Sequence, residues 1–229
     1  MQIVDHPKDG ITLLTQHPVS MKVSGLKIQG RIDPEAFYSS YIRSKTAKLP
    51  TMPLHELMSF HKQQIIPKNT PDFTYDYVDL IDIDCEYGLA EARKVHGKNI
   101  KGTRSEVMRP SILYSRIRPN LHRIAYFSPT KETRTVCSPE FSILTPYRGV
   151  RVRYILSMLM SKSFIGLAMQ KGTGTTRPRL PESELKQFKI PQFSDATQEN
   201  IEQLLAITQW LILNGRNLVN NVVRSFEEK

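Results

Sequence analysis

The last 35 residues of this 229-residue chain constrain its architecture most. After Pro191 no proline interrupts the sequence, and apolar residues recur every seven positions from residue 201 onward. Asp195 is a suitable N-cap residue, with Gln198 three positions later. The pattern predicts one helix over residues 195–226, which at about 1.5 Å per residue would be a rod of about 48 Å.

An apolar stripe of this length needs a surface that covers it. Two alternatives stay open at this point: the helix folds back on its own domain, or it pairs with another long helix. Thr208 and Gly215 interrupt the stripe. If the helix pairs, the predicted oligomerisation residues are Ile201, Leu204, Leu205, Leu211, Ile212, Leu218, Val219 and Val222.

The composition is that of a globular protein. Hydrophobic residues make up 39% and charged residues 24%, which excludes a disordered chain. No apolar run approaches the ~18 residues of a membrane span, and no basic segment followed by an apolar one opens the sequence. Cys85 and Cys137 are too few for a disulfide framework or a four-cysteine zinc site. We expect a cytoplasmic protein with reduced thiols.

Positive charge is concentrated in the middle of the chain. The formal net charge is +10, yet residues 91–190 contain 20 Lys and Arg against 6 Asp and Glu, so the remainder is net negative. This segregation favours a surface that contacts nucleic-acid phosphates. A basic face without a partner is the alternative. An anionic membrane is disfavoured because the final helix has few basic residues on its polar side.

Apolar periodicity predicts an α+β fold, with a twisted sheet and flanking helices followed by a long coiled-coil-like helix. We expect a globular domain over residues 1–192 and a separate helix over residues 195–229. Strands are predicted at residues 78–84, 111–118, 122–127 and 141–144, and a helix at residues 151–169.

Two segments of the basic region carry side chains suited to DNA. Residues 171–179 form a glycine- and threonine-rich loop with flanking cations, whose hydroxyls and N–H groups suit phosphates. Residues 114–120 carry arginines and an asparagine, which pair bidentately with guanine and adenine edges. A plain solvated turn and a sheet face with internal ion pairs are the respective alternatives. The predicted DNA-binding residues are Lys98, Lys101, Arg104, Tyr114, Arg116, Arg118, Asn120, Lys171, Gly172, Thr173, Thr175, Thr176, Arg177 and Arg179.

Catalytic and cofactor motifs are not evident. His55 and His61 are six positions apart, whereas a zinc-protease helix needs a spacing of four. Asp72 and Glu91 are similar to the carboxylates of a Mg²⁺-dependent nuclease core, but Lys94 is displaced by one position. We therefore expect no catalytic residue, metal or cofactor, with the nuclease kept as an alternative from a different class.

Several segments resemble the specificity subunits of type I restriction–modification systems. In order along the chain they correspond to the family's "YxxIxDI" strand, "ILxSRIRPN" strand, "CSxEFxVL" strand, "GTTRPRL" loop and "LxxxxIPxP" stretch. The final helix resembles the family's spacer helix. The five segments, which keep the family's order and spacing, are residues 78–84, 111–120, 137–144, 174–180 and 185–191.

The resemblance implies a non-catalytic target recognition domain that reads a DNA half-site in the major groove. It implies that a separate modification methyltransferase and a restriction translocase supply the catalysis. Typical members hold two recognition domains and two long antiparallel helices, whereas this chain has one of each. A half-size subunit is therefore implied, with a homodimer through the final helix that reads a split site in double-stranded DNA.

Two departures accompany the resemblance. The Pro-Pro-Leu that commonly precedes the spacer helix is replaced by residues 192–196, and residues 1–70 carry no family motif. The recognition loops vary between members, so no target sequence is implied. The target-recognition component of another phage-defence complex is an alternative with the same fold.

Overall fold

The chain divides into two compact units, Met1–Ala36 and Phe37–Lys229. The computed structural model describes residues 2–6, 10–14, 21–22 and 49–227, and the side chains of residues 49–220 and 223. In the first unit β1 (Gln2–His6), β2 (Gly10–Leu14) and β3 (Met21–Lys22) form an antiparallel sheet in that order.

The second unit combines sheets with helices, which confirms the predicted α+β class. Its strands are β4 (Thr51–Pro53), β5 (Met58–His61), β6 (Gln64–Ile65), β7 (Thr74–Val78), β8 (Ile83–Asp84), β9 (Leu89–Ala90), β10 (Arg93–His96), β11 (Arg104–Val107), β12 (Ser111–Ser115), β13 (Ile124–Phe127), β14 (Thr135–Cys137), β15 (Phe141–Pro146) and β16 (Lys189–Pro191). Its helices are α1 (Leu54–Leu57), α2 (Val152–Met160), α3 (Lys162–Lys171), α4 (Glu182–Lys186) and α5 (Asp195–Glu227).

Helices, a six-stranded sheet and a five-stranded sheet form three layers. The six-stranded sheet has the order β5-β15-β12-β13-β9-β8, the five-stranded sheet has the order β10-β7-β14-β11-β6, and β16 pairs with β4. On β12, Ile112 packs in the core with Leu156 of α2, whereas Leu113 packs with Val107 of the five-stranded sheet. β12 is therefore buried on both faces, which explains its continuous apolar sequence.

The first predicted strand, over residues 78–84, is divided in the structure. β7 ends at Val78, and a 3₁₀ turn at Leu80–Asp82 precedes β8. The Asp79 carboxylate accepts a hydrogen bond from its neighbour's N–H, and Asp82 Oδ2 accepts from the Asp79 N–H, both at 2.8 Å. Alternation of apolar and acidic residues suggested one strand, but the acidic side chains cap a turn.

The helix predicted at residues 151–169 is also divided. α2 and α3 meet at Ser161 with a bend of 67°. The Ser161 hydroxyl accepts a hydrogen bond from the Phe164 N–H at 3.4 Å, as an N-cap serine does. The apolar pattern that predicted one helix therefore belongs to two helices that pack against the same core.

The long C-terminal helix, α5, is confirmed, and it begins at Asp195 as expected. Its first half folds back on the unit, where Ile201 and Leu205 are buried in the same core as α2. The prediction that these two residues mediate oligomerisation is therefore wrong, because their own unit covers them. The division into residues 1–192 and 195–229 stays a prediction.

The second half of α5 exposes the remaining stripe. Leu218 is 67% exposed and Val219 is 61% exposed. Leu211 and Ile212 are partly exposed, as is Leu204 in the first half. The predicted contact through Val222 falls on a side chain outside the described residues. Oligomerisation through the described remainder of the stripe stays a prediction.

Candidate nucleic-acid interface

The backbone takes an unusual path directly after β12. Arg118 has φ 49° and His122 has φ 53°, on either side of a 3₁₀ turn at Pro119–Leu121. They are the non-glycine residues with positive φ in the described part of the chain. Such a conformation costs about 1–3 kcal/mol and persists where surrounding contacts hold it. Arg118 and Asn120 are exposed on this turn.

The glycine- and threonine-rich loop lies against the same segment. The Arg118 N–H donates to the Pro178 carbonyl at 2.7 Å, and the Leu180 N–H donates to the Arg116 carbonyl at 2.8 Å. The structure thus brings together two clusters that are more than fifty residues apart in the sequence. We call residues 116–120 and 172–179 the arginine–loop surface.

The loop is closed at its base and exposed at its tip. The Thr173 N–H donates to the Arg179 carbonyl at 2.9 Å, and the Arg179 N–H donates to the Thr173 carbonyl at 2.8 Å. Gly174 has φ 92°, a conformation that favours glycine. The tip therefore offers exposed hydroxyl and cationic groups, on Thr175, Thr176 and Arg177.

Glu140 engages two arginines of this surface, a role that the sequence analysis missed. Arg179 Nη2 lies 2.8 Å from Glu140 Oε1, and the Arg116 N–H donates to the Glu140 carbonyl at 3.1 Å. Lys171 Nζ lies 3.3 Å from Glu184. Lys171 and Arg179 therefore form internal ion pairs, which were an alternative only for residues 114–120; for this loop the alternative was a plain solvated turn. Acidic residues are scarce in the basic region, and this scarcity was the available signal for Glu140.

A second carboxylate, Glu182, lies in the electrostatic field of Arg116. Burial raises the pKa of Glu182. Hydrogen bonds from Lys186 and Ser142, together with the charges of Lys186 and Arg116, outweigh this effect, so the pKa lies below its ordinary value. Glu182 therefore stays ionised near neutral pH, and Arg116 lies in a partly compensated environment.

Arg118 and Arg177 differ from these paired cations. Both are exposed, and within residues 49–220 neither guanidinium makes a hydrogen bond or ion pair. They are the arginines of the surface that remain available for an external anion or base.

The prediction that Tyr114 contacts DNA is wrong. Tyr114 is 2% exposed and packs in the core between the six-stranded sheet and the helices. Burial raises the pKa of its phenol. Strand alternation placed Tyr114 on the same face as Ile112, but that face points towards the helices and β12 ends before Arg116.

Lys98, Lys101 and Arg104 form a separate group. Lys98 and Lys101 are exposed on either side of Ile100, which packs with Tyr77 in a small third core. The Arg104 guanidinium lies 5.4 Å from the centre of the Tyr77 ring. Within residues 49–220 no hydrogen bond or ion pair joins this group to the arginine–loop surface.

Polar contacts of α5 with its own unit were also missed. Glu202 Oε2 accepts hydrogen bonds from the N–H groups of Arg153 and Tyr154, at 2.6 and 3.0 Å, and so caps the start of α2. Arg151 binds Asp195 and Glu199 of α5.

Gln209 makes the deepest polar contact of α5. Its Nε2 donates to the carbonyls of Tyr87 and Gly88, at 2.9 and 3.0 Å, and its Oε1 accepts from Arg153 Nε at 3.1 Å. Gln209 follows Leu205 by four residues and is 2% exposed. A polar residue on the apolar face was the signal that could have identified this anchor.

The arrangement of the described residues does not support the alternative of a Mg²⁺-dependent nuclease. Glu91 Oε1 lies 3.1 Å from Arg216 Nη1, and Asp72 is exposed. Among the residues that the structure describes, no group of three or more His, Cys, Asp or Glu side chains is arranged to hold a metal ion.

No single helix in the described part of the chain is long and apolar enough to cross a membrane. α2 and α3 meet that length and composition only as a bent pair.

No protein-family profile matches the chain, and a search of curated proteins gives no significant match. Solved structures do match. The HsdS subunit from Thermoanaerobacter tengcongensis is 21% identical, with a TM-score of 0.55 over 78% of this chain and 46% of that one. A chain from a structure on complex assembly and conformational transition of the type I R-M system is 19% identical, with a TM-score of 0.57 over the same shares.

This chain spans less than half the length of either matched chain, at 46%. The matched 78% of this chain exceeds what α5 alone could provide, so the likeness extends to the layered sheets. The three-layered unit with its long terminal helix therefore has the fold of the specificity subunits of type I restriction–modification systems.

Proposed function

We propose that the chain is a DNA-recognition subunit that directs a separate methyltransferase and restriction translocase to a target site in double-stranded DNA, without catalysing a reaction itself. The observation that carries this proposal is the arginine–loop surface. Its exposed members Arg118, Asn120 and Arg177 combine the donors that read bases with those that bind phosphates. The fold likeness supports the same role.

The two cationic groups suggest a division of contacts. Arg177 and the loop hydroxyls are suited to phosphates beside the bases contacted from residues 116–120. Lys98 and Lys101 would add phosphate contacts elsewhere on the duplex. Lys171, Arg116 and Arg179 act mainly by holding the surface together, since their charges are partly compensated by Glu184, Glu182 and Glu140.

DNA binding is tested by a fluorescence-anisotropy titration of the full chain with duplex DNA over a salt series. We expect a steep loss of affinity with salt, and Arg177→Ala should reduce the slope of log K against log salt by about 0.9. Arg148→Ala is a control, because Arg148 is an exposed arginine outside the arginine–loop surface. Salt-independent binding, or no binding, would contradict the proposal.

The role of directing a partner is tested by reconstitution with a type I methyltransferase subunit. We expect site-specific methylation only when both proteins are present, and no DNA cleavage by the chain alone with Mg²⁺. Cleavage by the chain alone that is lost in Glu91→Ala would instead support the nuclease.

A further inference from the structure

Acidic residues are concentrated beside the arginine–loop surface, although the basic region contains few of them. Residues 91–190 include six acidic residues, and three of these are Glu140, Glu182 and Glu184. All three lie next to the surface, in contact with its cations or in their electrostatic field. A carboxylate repels a phosphate, so acids at this place oppose the binding that the surrounding cations favour.

Two of these acids each hold a cation of the loop. Arg179 Nη2 lies 2.8 Å from each carboxylate oxygen of Glu140, and Lys171 Nζ lies 3.3 Å from Glu184 Oε2. The side chains of the two cations are 46% and 48% exposed, so both are accessible to an external phosphate. A phosphate that binds either cation must therefore compete with a carboxylate that is already in place.

The loop also has backbone hydrogen bonds that do not depend on the two carboxylates. Thr173 and Arg179 exchange two N–H to carbonyl bonds, at 2.9 and 2.8 Å, and the Leu180 N–H donates to the Arg116 carbonyl at 2.8 Å. Exposed ion pairs of this kind add little to stability. Neutralising one carboxylate should therefore release a cation without opening the loop.

We propose that Glu140 and Glu184 limit sequence-independent DNA binding by keeping one cation each away from the phosphates. The inference rests on the proposed DNA-recognition function. Phosphate contacts supply the affinity that all sequences share, so a surface with two fewer of them depends more on its base contacts. This role is the same for every target, in keeping with the place of Glu140 in a segment that resembles a motif of the family.

The test titrates the full chain with a fluorescent pool of random-sequence duplexes over a salt series. The proteins are the wild type, Glu140→Gln, Arg179→Ala and the double variant that combines the two changes. Glutamine removes the charge of glutamate and keeps nearly the same shape. Glu132→Gln is the matched control, because Glu132 is an exposed acid of the same basic region. Its loop joins β13 to β14, at the other end of β12 from residues 116–120. Thermal melting confirms that each variant folds.

Glu140→Gln should raise the affinity for the pool and make the salt slope steeper by about 0.9, because the released Arg179 gains a phosphate. The gain in affinity should then be about 3.5 times larger at 50 mM salt than at 200 mM. Glu140→Gln should give no gain when Arg179→Ala is already present, and Glu132→Gln should leave the slope unchanged. Glu184→Gln should act in the same way through Lys171.

Three results would overturn the inference while the proposed function stands. If a glutamine variant weakens binding, that carboxylate supports the surface and does not limit it. If binding is unchanged, the carboxylate does not compete with phosphates. If the gain of Glu140→Gln persists in Arg179→Ala, it comes from the general field and not from a released cation. A wild type that does not bind DNA, or binds it independently of salt, would instead remove the proposed function together with the inference.

Discussion

The two halves of α5 share one apolar stripe but meet different surroundings. Residues 195–209 dock on their own unit through Leu205 and Gln209. Beyond them Leu218 and Val219 remain exposed. A seven-residue period predicts a helix with an apolar face that another surface must cover, but it does not identify that surface. Here the unit itself covers the apolar residues of the first half, whereas Arg216 connects the second half to the unit and the pairing of its exposed apolar residues with another helix stays a prediction.

The largest effect should come from the apolar contacts of the docked half. Leu205→Ala should lower the free energy of unfolding by about 2–4 kcal/mol, because it leaves a cavity in the core. Leu218→Ala should change it by less than about 0.5 kcal/mol, because that side chain is exposed. Chemical denaturation measures both, and equal effects would contradict the division of the helix.

The polar anchor should contribute somewhat less. Gln209→Ala removes the hydrogen bonds to the Tyr87 and Gly88 carbonyls and the acceptor of Arg153 Nε, and should cost about 1–3 kcal/mol of unfolding free energy. Asn217→Ala, on the exposed half, is the matched control and should be close to neutral. A neutral Gln209→Ala would show that the anchor is dispensable for docking.

The ion pair at the start of α5 should make docking depend on pH. Hydrogen bonds from Arg151 and then from Gln203 hold the pKa of Glu199 below its ordinary value of 4.5. This stabilisation is present above pH 4.5 and is lost as the pH falls through the lowered pKa of the folded state. The Tm difference between wild type and Arg151→Met should therefore shrink between pH 7 and pH 3, and a constant difference would argue against it.

The smallest effect on stability should come from the exposed stripe. The double substitution Leu218→Glu and Val219→Glu should leave the free energy of unfolding nearly unchanged. If this half pairs with a second copy, as the resemblance to the specificity subunits implies, the substitution should abolish concentration-dependent association in sedimentation velocity. Leu218→Met is the conservative control, and an unchanged association in the double variant would exclude this contact.

The main elements were predictable where periodicity is unambiguous. α5 and β15 begin at the residues that the sequence indicated, Asp195 and Phe141. The division of residues 78–84 and of residues 151–169 was not predicted, because it depends on hydrogen bonds of Asp79 and Ser161 that interrupt an otherwise regular pattern.

The candidate site was only partly predictable. Residue types identified the Arg118 segment and the loop at Arg177, but their mutual contact depends on tertiary hydrogen bonds. The assignment of Tyr114 to the DNA-binding surface was wrong. Alternation shows which side chains share one face of a strand, but it does not show which layer of the protein that face packs against. The pairing of Arg179 with Glu140 is likewise a contact between distant segments, which charge counting does not detect.

The burial of β12 on both faces has a consequence for how the segments beside it can vary. Amides at the centre of such a strand should exchange with solvent only through global opening, whereas those beyond Ser115 can exchange through local fluctuations. Substitutions of the exposed side chains of residues 118, 120 and 175–177 should therefore leave the core beside β12 intact. A scaffold of this kind permits its exposed loop side chains to vary at nearly constant stability.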